Sequence, residues 1–323
     1  MIKMRILVTG AGGFVGGHLI KRLLDKYPQS TIVATDIKPI EDWYQVHTEC
    51  NIDQQRDLRD NNKANNLFLL PFDQTWMLAC DHGGIGYLKS REYQCGLDIS
   101  INTNTINAHI NSNSGLLFYA SSACVYNEEL QEDPNNIVYL KESDDHPASP
   151  DSVYGWVKLL TEKIVLAAVQ EHNLDARIAR IHGCYGPYNS FNDIKEKAPN
   201  ALLRKAIMNN QLEVWNSLDT VRSFMYIDDC IEGFIRLLEA DYCNPINIGS
   251  DITVTIGDVA NSALQVVNKE IELITVSGER GVAARSCDCS LMLEQLNWKP
   301  SIDVNQGLAL TYKWMKDKCL SEK

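Results

Sequence analysis

The 323-residue chain has no apolar run near the roughly 18 residues that a membrane span requires. Its start offers no charged-then-apolar leader with a small-residue cleavage site, because Met1 runs almost at once into the apolar stretch from Arg5 to Thr9. Both absences lead us to expect a cytoplasmic protein with no membrane partner. Cations are outnumbered: 30 Lys and Arg stand against 42 Asp and Glu, for a formal charge of -12. That balance argues against nucleic acid as a partner, since phosphate binding rests on clustered Lys and Arg. An anionic ligand must then be met locally, by helix N-termini and a few arginines. Paired cysteines are missing too. The ten cysteines are scattered, so reduced thiols are expected over a disulfide scaffold. The neighbours Cys287 and Cys289 lack a second pair at zinc-finger spacing, and no metal is expected. Internal repeats and low-complexity tracts are also absent.

What is present is ordinary globular composition, with 45% hydrophobic and 22% charged residues. The length suits one large α/β unit or a large domain plus a small one. Short apolar runs alternate with amphipathic segments in the first half, the pattern of βα units around a parallel sheet. Strands are predicted at Arg5 to Thr9, Thr31 to Thr35, Trp76 to Cys80, Leu116 to Ala120 and Ala176 to Ile181. A helix is predicted from Asp151 to Glu171, capped by Asp151 or Ser152, and the polar stretch from Asn127 to Pro150 reads as a loop. The expected fold is α/β, a Rossmann-like doubly wound parallel sheet with a smaller C-terminal substrate-binding domain. Residues 1–182 would form the dinucleotide-binding domain, rejoined by about 224–250, and residues 183–323 mostly the substrate domain.

The strongest local signal is the first strand followed by Gly10, Ala11, Gly12, Gly13, Phe14, Val15 and Gly16, then a helix with Leu19, Ile20 and Leu23 inward. Gly10 would permit the tight turn, Gly13 the approach of backbone to a pyrophosphate, and Gly16 close packing of helix on strand. The phosphates would sit on the helix N-terminus. A second strand ends in Asp36, where a carboxylate would bond the adenosine ribose 2′-OH, which favours NAD over NADP; Lys38 is the one hint against that preference.

Tyr154 and Lys158 form the second signal, four residues apart on one helix face. A tyrosine near pKa 10 is a poor base at neutral pH, but an adjacent ammonium favours the phenolate. The plain alternative is an exposed i, i+4 pair. The hydroxyl-rich strand end Tyr119 to Tyr126, containing Ser121 and Ser122, places further polar groups where parallel sheets present ligands.

Together these residues resemble the extended short-chain dehydrogenase/reductase family. The resemblance covers nearly the whole chain and implies Ser122, Tyr154 and Lys158 as the hydride-transfer site, with Asp57 and Leu58 along the adenine. Asp228 would close the substrate domain, or simply cap the helix Cys230 to Glu239.

Within that family, five segments are similar to the GDP-mannose 3,5-epimerases. They are Asp81 to Gly86, Tyr119 to Tyr126, Leu140 to Asp144, Lys195 to Pro199 and Asn247 to Asp251. The similarity implies a GDP-sugar substrate, a homodimer, Cys124 and Lys197 as the proton-transfer pair, and substrate contacts from Gly83, Glu142, Ser143, Lys197, Arg222 and Arg285. Chemistry accounts for the pair: once C4 is a ketone, inversion at C3 and C5 requires a proton removed from one face and returned to the other. For Cys124 the bland reading is a small buried residue, and for Lys197 a solvated charge. A 4,6-dehydratase would carry an Asp-Glu pair where Ala123 and Cys124 stand. A 4-epimerase needs no such pair and is the runner-up, and a non-catalytic dinucleotide sensor is the reading from another class. Two departures leave a related GDP-hexose or heptose open. Gly183 replaces the Asn that the resemblance leads one to expect, and Asn216 to Asp219 replaces a Gly-Asp-Gly turn.

Overall fold

The computed structural model describes residues 3–191 and 194–321. Six strands of the main sheet are β1 (Arg5–Thr9), β2 (Thr31–Thr35), β3 (Asn51–Asp53), β4 (Gln74–Met77), β5 (Leu116–Ser122) and β6 (Ala176–Ile181). A seventh, Pro245–Ile248, returns to the edge and pairs with β6. The order is Pro245–Ile248, β6, β5, β4, β1, β2, β3, and every pairing is parallel. Helices cover both faces, which explains near-continuous apolar strands such as Ile6, Leu7 and Val8, all fully buried. Each such side chain contributes about 1.5–3 kcal/mol of burial. The chain leaves β1 toward β2 on one side and β4 on the other. That reversal opens a crevice at the carboxyl ends of the strands.

Eight helices in chain order frame the crevice: α1 (Phe14–Lys26), α2 (Asn61–Leu67), α3 (Ile85–Ser90), α4 (Glu92–Gly96), α5 (Asp98–Asn111), α6 (Val153–His172), α7 (Ala198–Met208) and α8 (Ile227–Glu239). The later part of the chain adds short strand pairs, Gln211–Trp215 with Glu272–Val276 and Val221–Ser223 with Thr253–Thr255 and Ala284–Arg285. They pack with α7 and the helices Ile256–Val267 and Val304–Ser321.

Several boundaries differ from the sequence expectation, among them both ends of α6, read as Asp151 to Glu171 and found at Val153–His172. The fourth strand ends at Met77 and does not reach Cys80, because the Thr9 hydroxyl accepts the N–H groups of Leu78 and Ala79 and so ends the ladder. The fifth runs on to Ser122, paired with Ile181. Asp228 does not cap α8: Tyr226 occupies that position and Asp228 lies in the first turn, while Asp229 accepts from the backbone of Ser301 and Ile302. Ser152, one of the two proposed caps, accepts from Gly155 N at the start of α6.

Beneath the crevice a buried charge network fixes the end of β5. Arg180 donates to Glu162 and Asp145 at 2.7 Å each, and Ser121 donates to Glu162. A paired and hydrogen-bonded set of buried charges holds geometry more than it adds stability. Here it anchors the residue next to Ser122.

Candidate active site

The cradle at the mouth of β1 is shaped by its glycines. Gly10 has φ +70, and a Cβ there would lie 2.8 Å from Ala79 N. A Cβ on Gly16 would lie 2.3 Å from the Gly10 carbonyl oxygen. Gly13 is the N-cap of α1 and offers no side chain to the first turn, which also lacks an acidic residue. The first N–H groups of the helix, from Phe14 and Val15 onward, are thus left for an anion. Asp36, buried at the end of β2, accepts from Gly12 N at 2.9 Å and from Lys38 N at 3.0 Å. Lys38 folds back, donating to Gly12 O at 2.6 Å, and burial holds its ammonium below the ordinary pKa. An uncapped helix terminus beside a buried carboxylate fits a dinucleotide bearing a free ribose diol. Further along this edge Asp57 pairs with Arg59, while the Leu58 side chain packs into the core with Leu7, Val33 and Phe68 and its carbonyl accepts from Asn104.

Beside the cradle, Ser122, Tyr154 and Lys158 converge. Gly155 makes this possible: a Cβ there would lie 2.2 Å from the Cys124 carbonyl oxygen, so only glycine lets α6 dock on the end of β5. Burial, with Cys80, Cys124 and Tyr119 nearby, pushes the Tyr154 phenol well above its usual pKa, while the Ser122 hydroxyl bonds it and works the other way. Lys158 is buried and donates to Ala120 O at 2.7 Å. Burial acts to neutralise this ammonium, but Tyr119, Cys80 and Asp98 outweigh it and the pKa ends above its ordinary value. A fixed cation thus stands 5.6 Å from the Tyr154 ring centre, a position from which it can favour a phenolate.

Cys124 follows Ser122 in a short 3₁₀ turn, buried, with its thiol in one apolar cluster with Tyr87, Leu88, Cys95 and Tyr154. Arg285 donates to its sulfur at 3.2 Å and also to Asp151 and Gln131. Lys197 is the N-cap residue of α7. Its loop is held against the segment after β4 because two loops distant in sequence interlock: Gly84 N donates to Lys195 O at 3.0 Å, and Lys195 donates to Asp81 at 2.8 Å. A Cβ on Gly83 would lie 2.8 Å from Lys195 Cα, so glycine is needed for that approach. Lys197 and Lys158 both bear on His82, whose ring stacks on Tyr154 with centroids 4.7 Å apart.

Arg222 lies near Arg285 and donates to the carbonyls of Val221, Val282 and Ala283; burial and the neighbouring Arg285 lower its pKa to about 10. Glu142 accepts from Asn247 N at 2.8 Å, and Ser143 is exposed with only a 3.5 Å contact to Asp144. Gly183 has φ +44, and a Cβ there would lie 2.1 Å from the Ser223 carbonyl oxygen. No side chain fits without moving that backbone, so the expected Asn could not stand here. His82, Gly155 and Asp98 were not singled out from sequence; the only hint for His82 is its place just before Gly83.

This constellation on this sheet defines a dinucleotide-dependent enzyme of the short-chain dehydrogenase/reductase type. The chain belongs to the NAD dependent epimerase/dehydratase family, whose model matches residues 6–249. It is 36% identical over 325 aligned residues to GDP-mannose 3,5-epimerase 1 of Oryza sativa subsp. indica, covering 99% of this chain and 84% of that protein. UDP-glucuronic acid decarboxylase 6 of Arabidopsis thaliana is 27% identical over 313 residues, covering 95% of this chain and 87% of that one. Among solved structures, a UDP-glucose 4-epimerase of Thermotoga maritima superposes with a TM-score of 0.87 at 18% identity, covering 98% of this chain and 99% of that chain. The UDP-glucuronic acid 4-epimerase of Bacillus cereus, solved with UDP-glucuronic acid and NAD, gives 0.83 at 22% identity, with 98% and 100% covered. Membership of this family makes the protein an NAD-dependent enzyme acting on sugar nucleotides.

Proposed function

We propose that the chain is a GDP-mannose 3,5-epimerase, with residues 1–182, rejoined by 224–250, holding the dinucleotide and residues 183–323 mostly the GDP-sugar. The observation that carries this reading is the buried cluster that Cys124 shares with Tyr154, beside a His82 ring that stacks on Tyr154 and feels the charge of Lys197. A 4-epimerase has no use for Cys124 or Lys197. Identity of 36% along 99% of the chain to a GDP-mannose 3,5-epimerase supports the same choice.

Gly10, Gly13, Gly16 and the start of α1 would hold the pyrophosphate, and Asp36 the adenosine ribose. Bound there, NAD supplies the hydride acceptor and donor for C4 of the sugar. Tyr154 takes the C4 hydroxyl proton and later returns it, with Ser122 bonding the same oxygen and Lys158 holding down the phenolate. The C4 ketone acidifies the hydrogens at C3 and C5. Cys124 and Lys197 then remove a proton from one face and deliver one to the other. Arg222 and Arg285 are the cations available for the diphosphate.

The working form we assign is a cytoplasmic homodimer. Trp156 and Leu160, one turn apart on α6, are 48% and 52% exposed and form an apolar stripe suited to a partner helix. Among the described residues no helix is long and apolar enough to cross a membrane.

Incubation with GDP-mannose in D₂O, followed by NMR, tests the reading. Deuterium should enter at C3 and C5 with inversion and no net NADH. Inversion at C4 alone would make the protein a 4-epimerase, and steady NADH accumulation would make it a dehydrogenase.

A further inference from the structure

One polar side chain in the cluster has no part in the chemistry above. The imidazole of His82 lies against the Tyr154 phenol, with ring centroids 4.7 Å apart and planes 28° apart. Its Nδ1 is enclosed by protein and meets no hydrogen-bond partner among the described residues, whereas Nε2 is not enclosed. Enclosing a polar atom without a partner is unfavourable, and an apolar side chain would fill this space without that penalty. The ring cannot swing aside with its loop, because the next two residues, Gly83 and Gly84, are pinned against the backbone of Lys195 and Glu196.

Burial and the ammonium groups of Lys197, Lys158 and Lys195 hold the imidazole well below its ordinary pKa, so the ring is neutral and carries a single N–H. A donor at Nδ1 would point at nothing. The proton therefore resides on Nε2, which presents one donor at the open edge of the ring. Because the ring stacks on the Tyr154 phenol, a molecule that meets Tyr154 lies beside that edge.

We propose that His82 is a specificity-determining residue that donates a hydrogen bond from Nε2 to one hydroxyl of the sugar ring, while its stacked face keeps Tyr154 in place. This rests on the GDP-hexose reading above. Replacement of His82 by a ring without nitrogen separates the two contacts.

The test uses NAD-loaded protein carrying Tyr154→Phe, so that nothing turns over, and calorimetric binding of GDP, GDP-mannose and GDP-mannoses lacking single ring hydroxyls. Adding His82→Phe, which keeps a stacked ring, should weaken GDP-mannose about tenfold, the worth of one hydrogen bond at the upper end of its range. GDP should bind as before. The loss should vanish for the one deoxy sugar that lacks the partner hydroxyl. His82→Gln, which retains a donor without the ring, should recover most of the affinity and keep the proposal testable should the phenylalanine variant fold poorly. Unchanged GDP-mannose binding by His82→Phe overturns the proposal, as does an equal loss for GDP or for every deoxy sugar. If the parent protein binds no GDP-hexose at all, the GDP-sugar reading falls together with this one.

Discussion

The guanidinium of Arg285 donates to the sulfur of Cys124 across 3.2 Å. The same group donates to Asp151 at 2.8 Å and to Gln131 at 2.6 Å, so the cation is held in place before any ligand arrives. Burial works against its charge, but Cys124 and Asp151 more than compensate and keep it protonated. The sulfur is thereby held at a fixed position beside Tyr154, with which it shares a buried cluster.

Cys124→Ser should therefore retain oxidation at C4 yet lose carbon–hydrogen exchange by ~10²–10⁴-fold, the usual worth of a positioned acid–base group. Lys197→Met should behave alike, and Tyr154→Phe should abolish both steps, since no ketone forms. Deuterium incorporation into GDP-mannose, read by NMR beside the wild type, shows the lost exchange, and the absorbance of transiently reduced cofactor sets Tyr154→Phe apart from the other two. Exchange by Cys124→Ser at the wild-type rate would reduce Cys124 to packing.

Asp36→Asn tests the cofactor preference without emptying the site. The amide can still accept from Gly12 N, but the negative charge that opposes a 2′-phosphate is gone. The preference for NAD over NADP should narrow by about tenfold, as expected for loss of a charge-assisted contact. Fluorescence titration with both dinucleotides measures it, and an unchanged ratio would show that Asp36 does not face the ribose.

The first two strands and β6 carry the ends read from sequence, because both faces are buried and apolar runs stop where the ladder stops. The glycine turn and the Tyr154 and Lys158 spacing were legible for a similar reason: each is a local pattern with a steric or electrostatic cause. β4 was misplaced because the apolar run continues to Cys80 while the Thr9 hydroxyl captures the N–H groups that would extend the strand. No local rule covers such a side chain arriving from another strand. The His82 stack on Tyr154 and the Lys195 bond to Asp81 are likewise products of tertiary folding. Glu142 and Ser143 were picked by resemblance alone, and the backbone of Asn247 already holds the Glu142 carboxylate.

Asp98 should give the fold an unusual pH dependence. It is 3% exposed, and burial pushes its carboxyl from 3.8 up to about 7, although Asp81 N–H and Lys158 act in the opposite direction. As pH rises between those values the unfolded chain releases this proton while the folded chain keeps it. The contribution is therefore fully present at low pH and is lost on the way to about 7. Asp98→Asn removes the term while still accepting from Asp81 N. Relative to wild type, the variant should gain on the order of a few kcal/mol between about pH 4 and pH 7. Urea unfolding at both ends of that window reads the difference, and a constant difference would show that Asp98 titrates normally.

Trp156→Glu tests the assembly. A carboxylate on the exposed stripe of α6 would have to be buried unpaired in a helix-to-helix interface, which is strongly unfavourable. Sedimentation should show monomer for the variant and dimer for the wild type, and a dimeric variant would remove α6 from the interface.

Lys197 is carried by a loop whose grip on the Gly83 and Gly84 segment runs partly through backbone atoms, the Gly84 N to Lys195 O bond and the close pass of Gly83 against Lys195 Cα. Contacts of that kind do not specify which side chains the loop carries. Ser122, Tyr154 and Lys158 sit on β5 and on the α6 helix docked against it, whereas Lys197 sits on a segment whose side chains can change with little disturbance to that scaffold.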